Sequence, residues 1–331
     1  MPDRQTAVAS RKPPTRRTAR QRRTGGRWRR GWVIAVLALL TAVPLLFHRW
    51  VPNSVGNLGS LLDTFLPWVG LAVPVLALAA LVRRSAVAGV ALLVPAVVWG
   101  LMFGNLLIPG KGGGAHDLRV LSHNVDAANP DPRKTAEDLL AADADVMALE
   151  EITPADMKIY KAAFAEEYPY EVSRETVALW SRYPVAETKS VDVGFTWTRA
   201  LRAEVRTPEG DVAVYVAHLA SVRIGTSGFT SDQRNDTIKA LGRQIADEKL
   251  SGVVVLGDFN GTANDRSLAP LTAGLRSAQG AAGHGFGFTW PAKFPMARID
   301  HIMVRGVVPT KAWVMSPTGS DHRPVVAELR V

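Results

Sequence analysis

Three long apolar stretches near the beginning of the chain constrain its fold more than any other feature. They cover Gly31 to Phe47, Leu62 to Val82 and Ser85 to Pro109, and Asp63 is their only charged residue. Each approaches the roughly 20 residues that a helix needs to cross a bilayer core. One such stretch could be a buried core helix or, for the first, a cleaved signal peptide. Three in succession without an amphipathic period instead predict a three-helix transmembrane anchor over residues 31–109.

Basic residues are concentrated around these stretches rather than spread along the chain. The protein has 331 residues and a net charge of +9, yet residues 1–114 hold 15 Lys or Arg against 2 acidic residues, whereas residues 115–331 hold 24 against 28. Residues 1–30 alone contain eleven basic residues and almost no large aliphatic ones. A segment of this composition cannot bury enough apolar surface to fold, so we predict a disordered basic tail.

The same charges predict the orientation of the anchor. Cytoplasmic loops of membrane proteins carry an excess of Lys and Arg. Arg16 to Arg30 precede the first span, and Arg83 and Arg84 separate the second from the third. We therefore expect a multi-pass plasma-membrane protein with a cytoplasmic N-terminus and with everything after Pro109 outside the cytoplasm. The tail is interpreted as a topology determinant that contacts anionic lipids, in preference to a nucleic-acid-binding arm.

The part of the chain after the third span has the pattern of a soluble α/β domain. Residues 110–116 include KGGGA and predict a glycine-rich linker to a domain over residues 117–331. There, short apolar runs such as LRVLSHNV and GVVVLGDF alternate with helical patterns at Pro132 to Ala142 and Ser231 to Lys249. The chain has no cysteine. Disulfides, thiolate metal sites and a cysteine nucleophile are therefore excluded.

Polar side chains fall at the ends of several apolar runs, where a rigid strand presents a side chain at the rim of a sheet. They are Asn124, Glu151, His218, Asp258, Asn260, Asp300, Asp321 and His322. Carboxylates, amides and imidazoles without thiolates suit Mg2+ or Mn2+ better than zinc. A single Asn, Asp or His in such a place is more often a turn, a cap or a structural residue. His123, His284 and His301 are left in that structural class.

Taken in this order, the polar residues resemble the motifs of the endonuclease/exonuclease/phosphatase superfamily. The most specific are GDFN at 257–260 and SDHRPV at 320–325, the latter preceded by Ile299 and Asp300. The resemblance covers residues 117–331. It implies a catalytic domain with a four-layer α/β sandwich of two packed β-sheets flanked by helices. It also implies cleavage of phosphate esters with a divalent metal.

The resemblance also implies roles for individual residues. Glu151 and Asn124 fit the sparse set of protein ligands that Mg2+ takes, and Asp321 could reach a second metal position. Asp258 would orient or deprotonate the attacking water. Asn260 would donate to the phosphoryl oxygens.

Two histidines complete the predicted site. His218 would also donate to the phosphoryl oxygens. Asp300 and His322 resemble the carboxylate and imidazole couple of the family, in which the acid fixes the tautomer and supports the imidazolium that contacts phosphate.

Two positions near these motifs admit alternatives. The family usually has Gln before its metal-binding Glu, whereas this chain has Glu150 before Glu151. Strand alternation lets only one of the two face the site, and the motif register favours Glu151. The WSRYP segment resembles a family segment that shapes the site, so Arg182 either touches phosphate or has a structural role.

The location of the domain favours a lipid substrate. A nuclease needs a basic face, whereas residues 115–331 are net negative. A short linker would keep the site near the outer leaflet, where lipid phosphates are concentrated. The architecture resembles the actinobacterial membrane phosphohydrolases of the VanJ type, which implies action on an undecaprenyl-linked pyrophosphate or similar cell-envelope lipid and a link to teicoplanin-type resistance.

Other functions stay open at this point. They are a phospholipid or sphingomyelin phosphodiesterase, an extracellular nuclease, and a catalytically idle envelope-binding protein. The expected partners are membrane lipids and a lipid-linked phosphate, with no nucleic acid. The oligomeric state is left open.

Overall fold

The computed structural model describes residues 31–225 and 228–331, so the predicted basic tail lies outside the described residues. The described chain forms two compact units. One contains the residues up to Leu45 together with Val69–Trp99, and the other contains Leu46–Trp68 and Gly100–Val331. The second unit therefore includes the connection between the first and second predicted spans, which the sequence analysis assigned to the anchor.

The apolar part of the chain is helical. Its α-helices are α1 (Trp32–Phe47), α2 (Leu58–Phe65), α3 (Ala72–Arg83) and α4 (Ala86–Phe103). With adjoining 3-10 turns they give three continuous helices, Trp32–Trp50, Leu58–Arg83 and Ala86–Leu107, that are long and apolar enough to cross a membrane.

Within the first unit, small residues line the helix contacts. Ala38, Ala80 and Ala88 are buried there together with Leu92, and small side chains let membrane helices approach closely. Leu40 is 56% exposed on the outside of the same unit. Apolar side chains in such positions suit a lipid environment, so the helices suggest membrane anchoring.

The second unit contains two six-stranded sheets. In the first, the spatial order is β13-β14-β1-β2-β4-β3, and in the second it is β11-β12-β10-β7-β6-β5. The strands of the first sheet are β1 (Leu118–Asn124), β2 (Val146–Glu150), β3 (Tyr170–Arg174), β4 (Val177–Ser181), β13 (Val308–Val314) and β14 (Val325–Arg330). Those of the second are β5 (Val185–Ser190), β6 (Ala200–Thr207), β7 (Gly210–Ala217), β10 (Gly252–Asp258), β11 (Arg276–Ser277) and β12 (Asp300–Arg305). A short ribbon pairs β8 (Ile224–Gly225) with β9 (Gly228–Phe229).

Helices cover the outer faces of both sheets. They are α5 (Pro132–Leu140), α6 (Pro154–Phe164), α7 (Asp232–Ala246) and α8 (Ala269–Thr272), whereas the short α9 (Ala278–Ala282) contacts β12 and β13, one strand from each sheet. One core of buried aliphatic residues, such as Val120 and Val254, lies between the sheets. A second core packs α7 on the second sheet, and a third packs α5 and α6 on the first. The predicted four-layer α/β sandwich preceded by three apolar helices is therefore confirmed.

Local sequence explains where two of the outer helices begin. Asp131 caps α5 by accepting a hydrogen bond from the backbone N–H of Lys134, and Thr153 caps α6 in the same way. A proline follows each cap at the first helical position, where its missing N–H costs no hydrogen bond. These helices place the turns after β1 and β2 at one end of the first sheet.

The strand directions bring the polar residues to one rim. In the first sheet β1 and β2 run parallel, and in the second sheet β7 and β10 do. The carboxyl ends of parallel strands share an edge, and an antiparallel neighbour begins at that edge. Asp300, the first residue of β12, accordingly pairs with Asp258, the last residue of β10.

Candidate active site

A buried cluster of two carboxylates and one imidazole lies at this rim. The Nδ1 of His322 lies 2.9 Å from Oδ2 of Asp300, and its Nε2 lies 3.9 Å from Oδ2 of Asp258. Burial opposes charge on the imidazole, but the Asp300 and Asp258 carboxylates outweigh it and raise the pKa of His322 to about 10. The imidazole is therefore cationic at neutral pH, and the contact of this imidazolium with phosphate stays a prediction.

The Asp258 carboxylate is held by two amides. The side-chain nitrogens of Asn124 and Asn260 both donate to Oδ2, at 3.1 and 3.0 Å, and the backbone N–H of Asn260 donates to Oδ1 at 2.8 Å. Burial raises the pKa of Asp258 to about 7 in spite of these bonds and of the cationic His322. A carboxyl group with a pKa near neutrality can both accept and release a proton.

The two amides are also tied to the backbone. Asn260 has a positive φ of 48° and also donates to the carbonyl oxygen of Leu219, at 3.1 Å. Both N–H groups of its amide are thus engaged, and donation to a phosphoryl oxygen would require it to exchange one partner. The side-chain oxygen Oδ1 of Asn124 accepts from the backbone N–H of Asp126 at 3.0 Å.

The structure separates the two adjacent glutamates after β2. Glu150 is the last residue of the strand and is fully buried, where its Oε1 accepts a hydrogen bond from Ser122 at 3.1 Å. Burial, with the nearby Asp300 carboxylate, raises the pKa of Glu150 well above its ordinary value. Glu151 follows with a positive φ of 60° and lines the cleft described below. The positive φ, rather than strand alternation, turns Glu151 toward the cleft.

His218 lies directly after β7 and faces Glu151. Its Nε2 is 3.2 Å from Oε1 of Glu151 and 3.8 Å from Oδ2 of Asp258. Burial, with the nearby Arg199 cation, lowers the pKa of His218 well below its usual value, so the ring is neutral. Arg199 fixes this turn by donating to the carbonyl oxygens of His218 and Leu219.

Asp321 occupies a more exposed position. Its side chain is 56% exposed, and its Oδ2 accepts a hydrogen bond from the indole nitrogen of Trp290 at 3.1 Å. The adjacent Ser320 is buried and donates to the carbonyl oxygen of Asn124 at 2.7 Å, which ties the SDHRPV turn to the end of β1. All eight predicted site residues thus lie at the same rim.

Five of the eight line a cleft of about 630 Å3, namely Glu151, Asp258, Asn260, Asp321 and His322. The polar lining also includes Thr64, Asp126, Ser221 and Arg223, and the apolar lining includes Phe65, Val222, Phe229, Trp290, Ala297 and Ile299. Asp126, Trp290 and Phe65 were not predicted. Asp126 lies two residues after Asn124 and could have been found by its spacing, whereas nothing in an apolar span marks Phe65 as a cleft residue.

Other candidates from the sequence have structural roles. The Arg182 guanidinium pairs with Asp143 at 2.6 Å and Glu167 at 2.7 Å, so it stabilises the surface beside Tyr168 rather than contacting phosphate. His301 stacks on Phe259 with its Nε2 2.8 Å from the carbonyl oxygen of Gly261. His123 lies 2.9 Å from the hydroxyl of Thr318.

The rim residues fit a hard divalent cation. One possible ligand atom from each of Asp258, Asp300 and His322 lies within 4.8 Å of the others, and because the His322 ring is protonated, the two carboxylates are the donors of this group at neutral pH. The carboxylate of Glu151 lines the same cleft. The donors are oxygen and imidazole atoms in a chain without cysteine, a combination typical of Mg2+ or Mn2+ sites. The assignment of the ion to Asn124, Glu151 and Asp321 stays a prediction.

Known structures share this fold. The chain is 20% identical to D. rerio TDP2 in a complex with a single-strand DNA product, with a TM-score of 0.55 over 65% of this chain and 99% of that chain. It is 18% identical to the mannosyl-6-phosphatase Bt3783 of Bacteroides thetaiotaomicron, with a TM-score of 0.54 over 65% and 100%. Beta toxin of Staphylococcus aureus gives 16% identity and a TM-score of 0.52 over 64% and 99%. At these identities the likeness establishes the fold alone.

Sequence comparison establishes the family. No curated protein matches the chain significantly. The pattern of the endonuclease/exonuclease/phosphatase family matches residues 121–322, which is more than half of the chain and includes every predicted site residue. The enzymes of this family hydrolyse phosphoric esters with the help of a divalent metal. The chain belongs to the endonuclease/exonuclease/phosphatase family of metal-dependent phosphoesterases.

Proposed function

We propose that the protein is a membrane-anchored phosphohydrolase that acts outside the cytoplasm on a lipid-linked phosphate or pyrophosphate, such as an undecaprenyl cell-envelope intermediate. The observation that carries the proposal is the lining of the cleft. Its lining holds Asp258 and His322 of the carboxylate and imidazole cluster together with Glu151, and it also carries aromatic and aliphatic side chains. A phosphate ester with an apolar chain matches both surfaces.

The charge of the cleft also favours a lipid over a polyanion. The lining contributes four carboxylates, Asp126, Glu151, Asp258 and Asp321, against one guanidinium, Arg223, among the described residues. Nucleic-acid sites instead place several Lys and Arg along the path of the backbone. The net negative charge of residues 115–331 points in the same direction.

A neighbouring cavity supports a pyrophosphate. It has a volume of about 380 Å3 and is lined by Arg199 and Arg223, and Ser221 and Arg223 also line the main cleft. Arginine suits phosphate because its planar donors match the oxygens of the anion. A second phosphoryl group beside the one being cleaved would meet these two cations.

In the proposed mechanism, Asp258 accepts a proton from the attacking water. The water oxygen forms a bond to phosphorus as the bond between phosphorus and the leaving oxygen breaks. Asn124 and Asn260 hold Asp258 in place through their amide N–H groups. The Asp300 carboxylate keeps His322 protonated, and the imidazolium stabilises the charge that develops on the phosphoryl oxygens.

The metal and His218 contribute to the same step. A bound Mg2+ or Mn2+ would polarise the phosphoryl group as a Lewis acid, and Glu151 and Asn124 would hold it, with Asp321 near a second position. His218 is neutral and lies beside Glu151, where an Nε2–H would donate to a phosphoryl oxygen.

The location of the protein is part of the proposal. The three long apolar helices, together with Arg16 to Arg30 and the Arg83 and Arg84 pair, favour a cytoplasmic N-terminus and an extracytoplasmic catalytic domain. A reporter fused after Val331 tests this orientation. A reporter that works outside the cytoplasm is expected to be active there, and strong activity of a cytoplasmic reporter would contradict it. The VanJ-type architecture and a contribution to teicoplanin resistance belong to the same proposal.

The activity is tested with the full-length protein in vesicles. Undecaprenyl pyrophosphate, a phospholipid, sphingomyelin and single-stranded DNA are offered in turn with Mg2+, with Mn2+ and with EDTA. We expect phosphate release from undecaprenyl pyrophosphate that requires the divalent ion and is lost in Glu151→Gln. Faster cleavage of DNA or sphingomyelin would favour a nuclease or a phosphodiesterase, and no metal-dependent turnover of any substrate would favour a binding protein.

A further inference from the structure

Leu46–Trp68 runs from the end of the first apolar helix to the first turns of the second, and an ion pair with a buried carboxylate holds it on the rest of the second unit. Asp63 has no exposed surface, and its Oδ2 accepts from Nε of Arg266 at 2.8 Å. His48 lies 2.6 Å from the other carboxylate oxygen. Nη1 of Arg266 also donates to the carbonyl oxygens of Arg49 and Val51, both at 2.8 Å. Asp63, the charged residue within the second apolar stretch, therefore anchors the Leu46–Trp68 segment through Arg266.

A chain of contacts leads from this segment to the active site. The hydroxyl of Ser60 donates to Oδ1 of Asp265 at 3.1 Å. Asp265 forms a fully buried ion pair with Arg234 at 2.7 Å. Nη1 of Arg234 in turn donates to the carbonyl oxygen of Asn260 at 2.9 Å. The segment therefore rests on the same residues that position Asn260 and, through it, Asp258.

Two further contacts hold the segment, one at its C-terminal end and one near its middle. The indole nitrogen of Trp68 donates to the carbonyl oxygen of Met296 at 2.8 Å, and its ring stacks on Phe288 at 5.5 Å. The carbonyl oxygen of Gly56 accepts from the N–H of Phe229 at 2.8 Å. Polar and aromatic contacts thus fix the segment along its length, and a loosely tethered loop would not need them.

The segment contributes side chains to the cleft. Thr64 and Phe65 line it together with Phe229, Ala297 and Ile299. Phe65 is the last residue of α2, and the same continuous helix, Leu58–Arg83, continues into the second span. The apolar wall of the cleft is therefore built in part by a residue from a helix that is itself suited to lipid.

We infer that the Leu46–Trp68 segment is a specificity-determining wall, in which Phe65 contacts the apolar chain of a lipid-linked phosphate ester beyond the carbons that a short soluble ester carries. The inference rests on the proposed phosphohydrolase function and deepens it by naming the part of the chain that selects lipid over soluble esters. Burying apolar surface favours binding roughly in proportion to its area. A lipid ester therefore gains from this wall, whereas a short soluble ester does not reach it.

The test compares two pyrophosphates with the full-length protein in vesicles of phosphatidylethanolamine and phosphatidylglycerol. Undecaprenyl pyrophosphate has a long apolar chain, whereas isopentenyl pyrophosphate has a short one. The readout is the ratio of kcat/KM for the lipid to kcat/KM for the soluble ester. Phe65→Ala is expected to lower this ratio about tenfold, as the loss of one buried aromatic contact predicts.

Matched variants distinguish loss of the Phe65 contact from a general loss of structure or activity. Phe65→Leu keeps an apolar side chain and is expected to hold the ratio within about threefold of wild type. Tyr170→Ala truncates an aromatic residue on β3, outside the cleft lining, and is expected to leave the ratio unchanged. Arg266→Met removes the partner of Asp63 and is expected to lower the ratio in the same direction as Phe65→Ala.

The outcomes distinguish the wall from the activity itself. If Phe65→Ala leaves the ratio at its wild-type value, or lowers both rates equally, the wall is overturned while the phosphohydrolase function stands. A wild-type ratio in Arg266→Met would overturn the fastening role of the ion pair. If the wild-type protein hydrolyses neither pyrophosphate with a divalent ion, the proposed function fails first and the wall fails with it.

Discussion

Two buried polar clusters of the catalytic unit balance their charges in opposite ways. Arg234 and Asp265 pair one to one at 2.7 Å, with neither side chain exposed. At the rim, Asp258 and Asp300 converge on the single imidazole of His322. The first arrangement is neutral as it stands. In the second arrangement two carboxyl groups face one imidazolium. The negative charge is reduced when Asp258, whose pKa is raised to about 7, takes up a proton.

This difference distinguishes buried charges that stabilise the fold from buried charges that take part in function. A buried pair offsets its desolvation only when each charge has a partner, so removing one partner of Arg234–Asp265 is costly. At the rim, burial and, to a smaller extent, the neighbouring Asp300 carboxylate instead raise the pKa of Asp258, and carboxylates gathered in a dry site attract a cation. We therefore expect substitutions at the rim to lower turnover more than stability and substitutions in the paired cluster to lower stability first.

The largest effect is expected at the glutamates after β2. Glu151→Gln should abolish turnover and weaken the dependence on Mg2+ without unfolding the protein, because a half-exposed rim carboxylate contributes little to packing. Glu150→Gln should retain most activity, since Glu150 is buried against Ser122 outside the cleft lining and an amide has nearly the same shape. Phosphate release across a Mg2+ titration measures both. A dead Glu150→Gln beside an active Glu151→Gln would show that the two roles are reversed.

The rim cluster itself should give the next largest loss. Asp258→Asn and His322→Ala are each expected to lower kcat at least roughly a hundredfold with a smaller change in KM, as for groups that act in the transition state. The double variant should be little worse than the poorer single variant, because both groups serve one step. Steady-state kinetics of the three proteins provide the measurement.

Asp300→Asn serves as the graded control for the same cluster. It removes the carboxylate that charges the imidazole but leaves His322 in place, so a milder loss than in His322→Ala is expected. Near-normal turnover in His322→Ala would contradict the assignment of the imidazolium and would favour a binding protein.

The paired cluster should respond in stability. Arg234→Met leaves the buried Asp265 carboxylate without its partner and is expected to lower the free energy of unfolding by roughly 3 to 5 kcal/mol. Lys239→Met is the matched control on the same helix, because Lys239 is exposed and its pair with Asp236 is worth less than about 1 kcal/mol. The free energy of unfolding of both variants is measured by urea titration, with susceptibility to proteolysis reporting the unfolded fraction. Equal losses of stability in the two variants would contradict the expected difference between the buried and the exposed ion pair.

The smallest effect concerns the pH dependence of a second structural pair. Burial would raise the pKa of Glu248, but hydrogen bonds from Arg202, Leu250 and Tyr215 lower it to about 2. A lowered carboxyl pKa adds stability above the ordinary value near 4.5, and this stability is lost as the pH falls toward 2. Glu248→Gln should therefore lower stability by about 1 kcal/mol at pH 7 and by much less near pH 2. Thermal unfolding across this range measures the difference, and a deficit that stays constant with pH would contradict the assignment.

The sequence was most informative where chemistry depends on position along the chain. Polar residues at the ends of apolar runs predicted all eight rim residues, because a strand that enters a dry core must present its last polar side chain at an edge. The apolar stretches predicted three long helices for a similar reason, since continuous apolar surface needs a nonpolar environment. The absence of cysteine limited any metal site to oxygen and imidazole ligands.

The tertiary structure decided what depends on neighbours distant in sequence. Strand alternation could not assign the roles of Glu150 and Glu151, because the assignment depends on a positive φ after β2 and on Ser122 from β1. Arg182 is engaged by Asp143 and Glu167, which only folding brings to it.

Asp63 and Phe65 show most clearly what the sequence alone does not predict. In the sequence they mark only the edge of an apolar span, whereas in the fold one pairs with Arg266 and the other lines the cleft. Periodicity and hydropathy report how apolar a side chain is. The partner that covers it is set by packing between segments some two hundred residues apart, and this information is not contained in any local pattern.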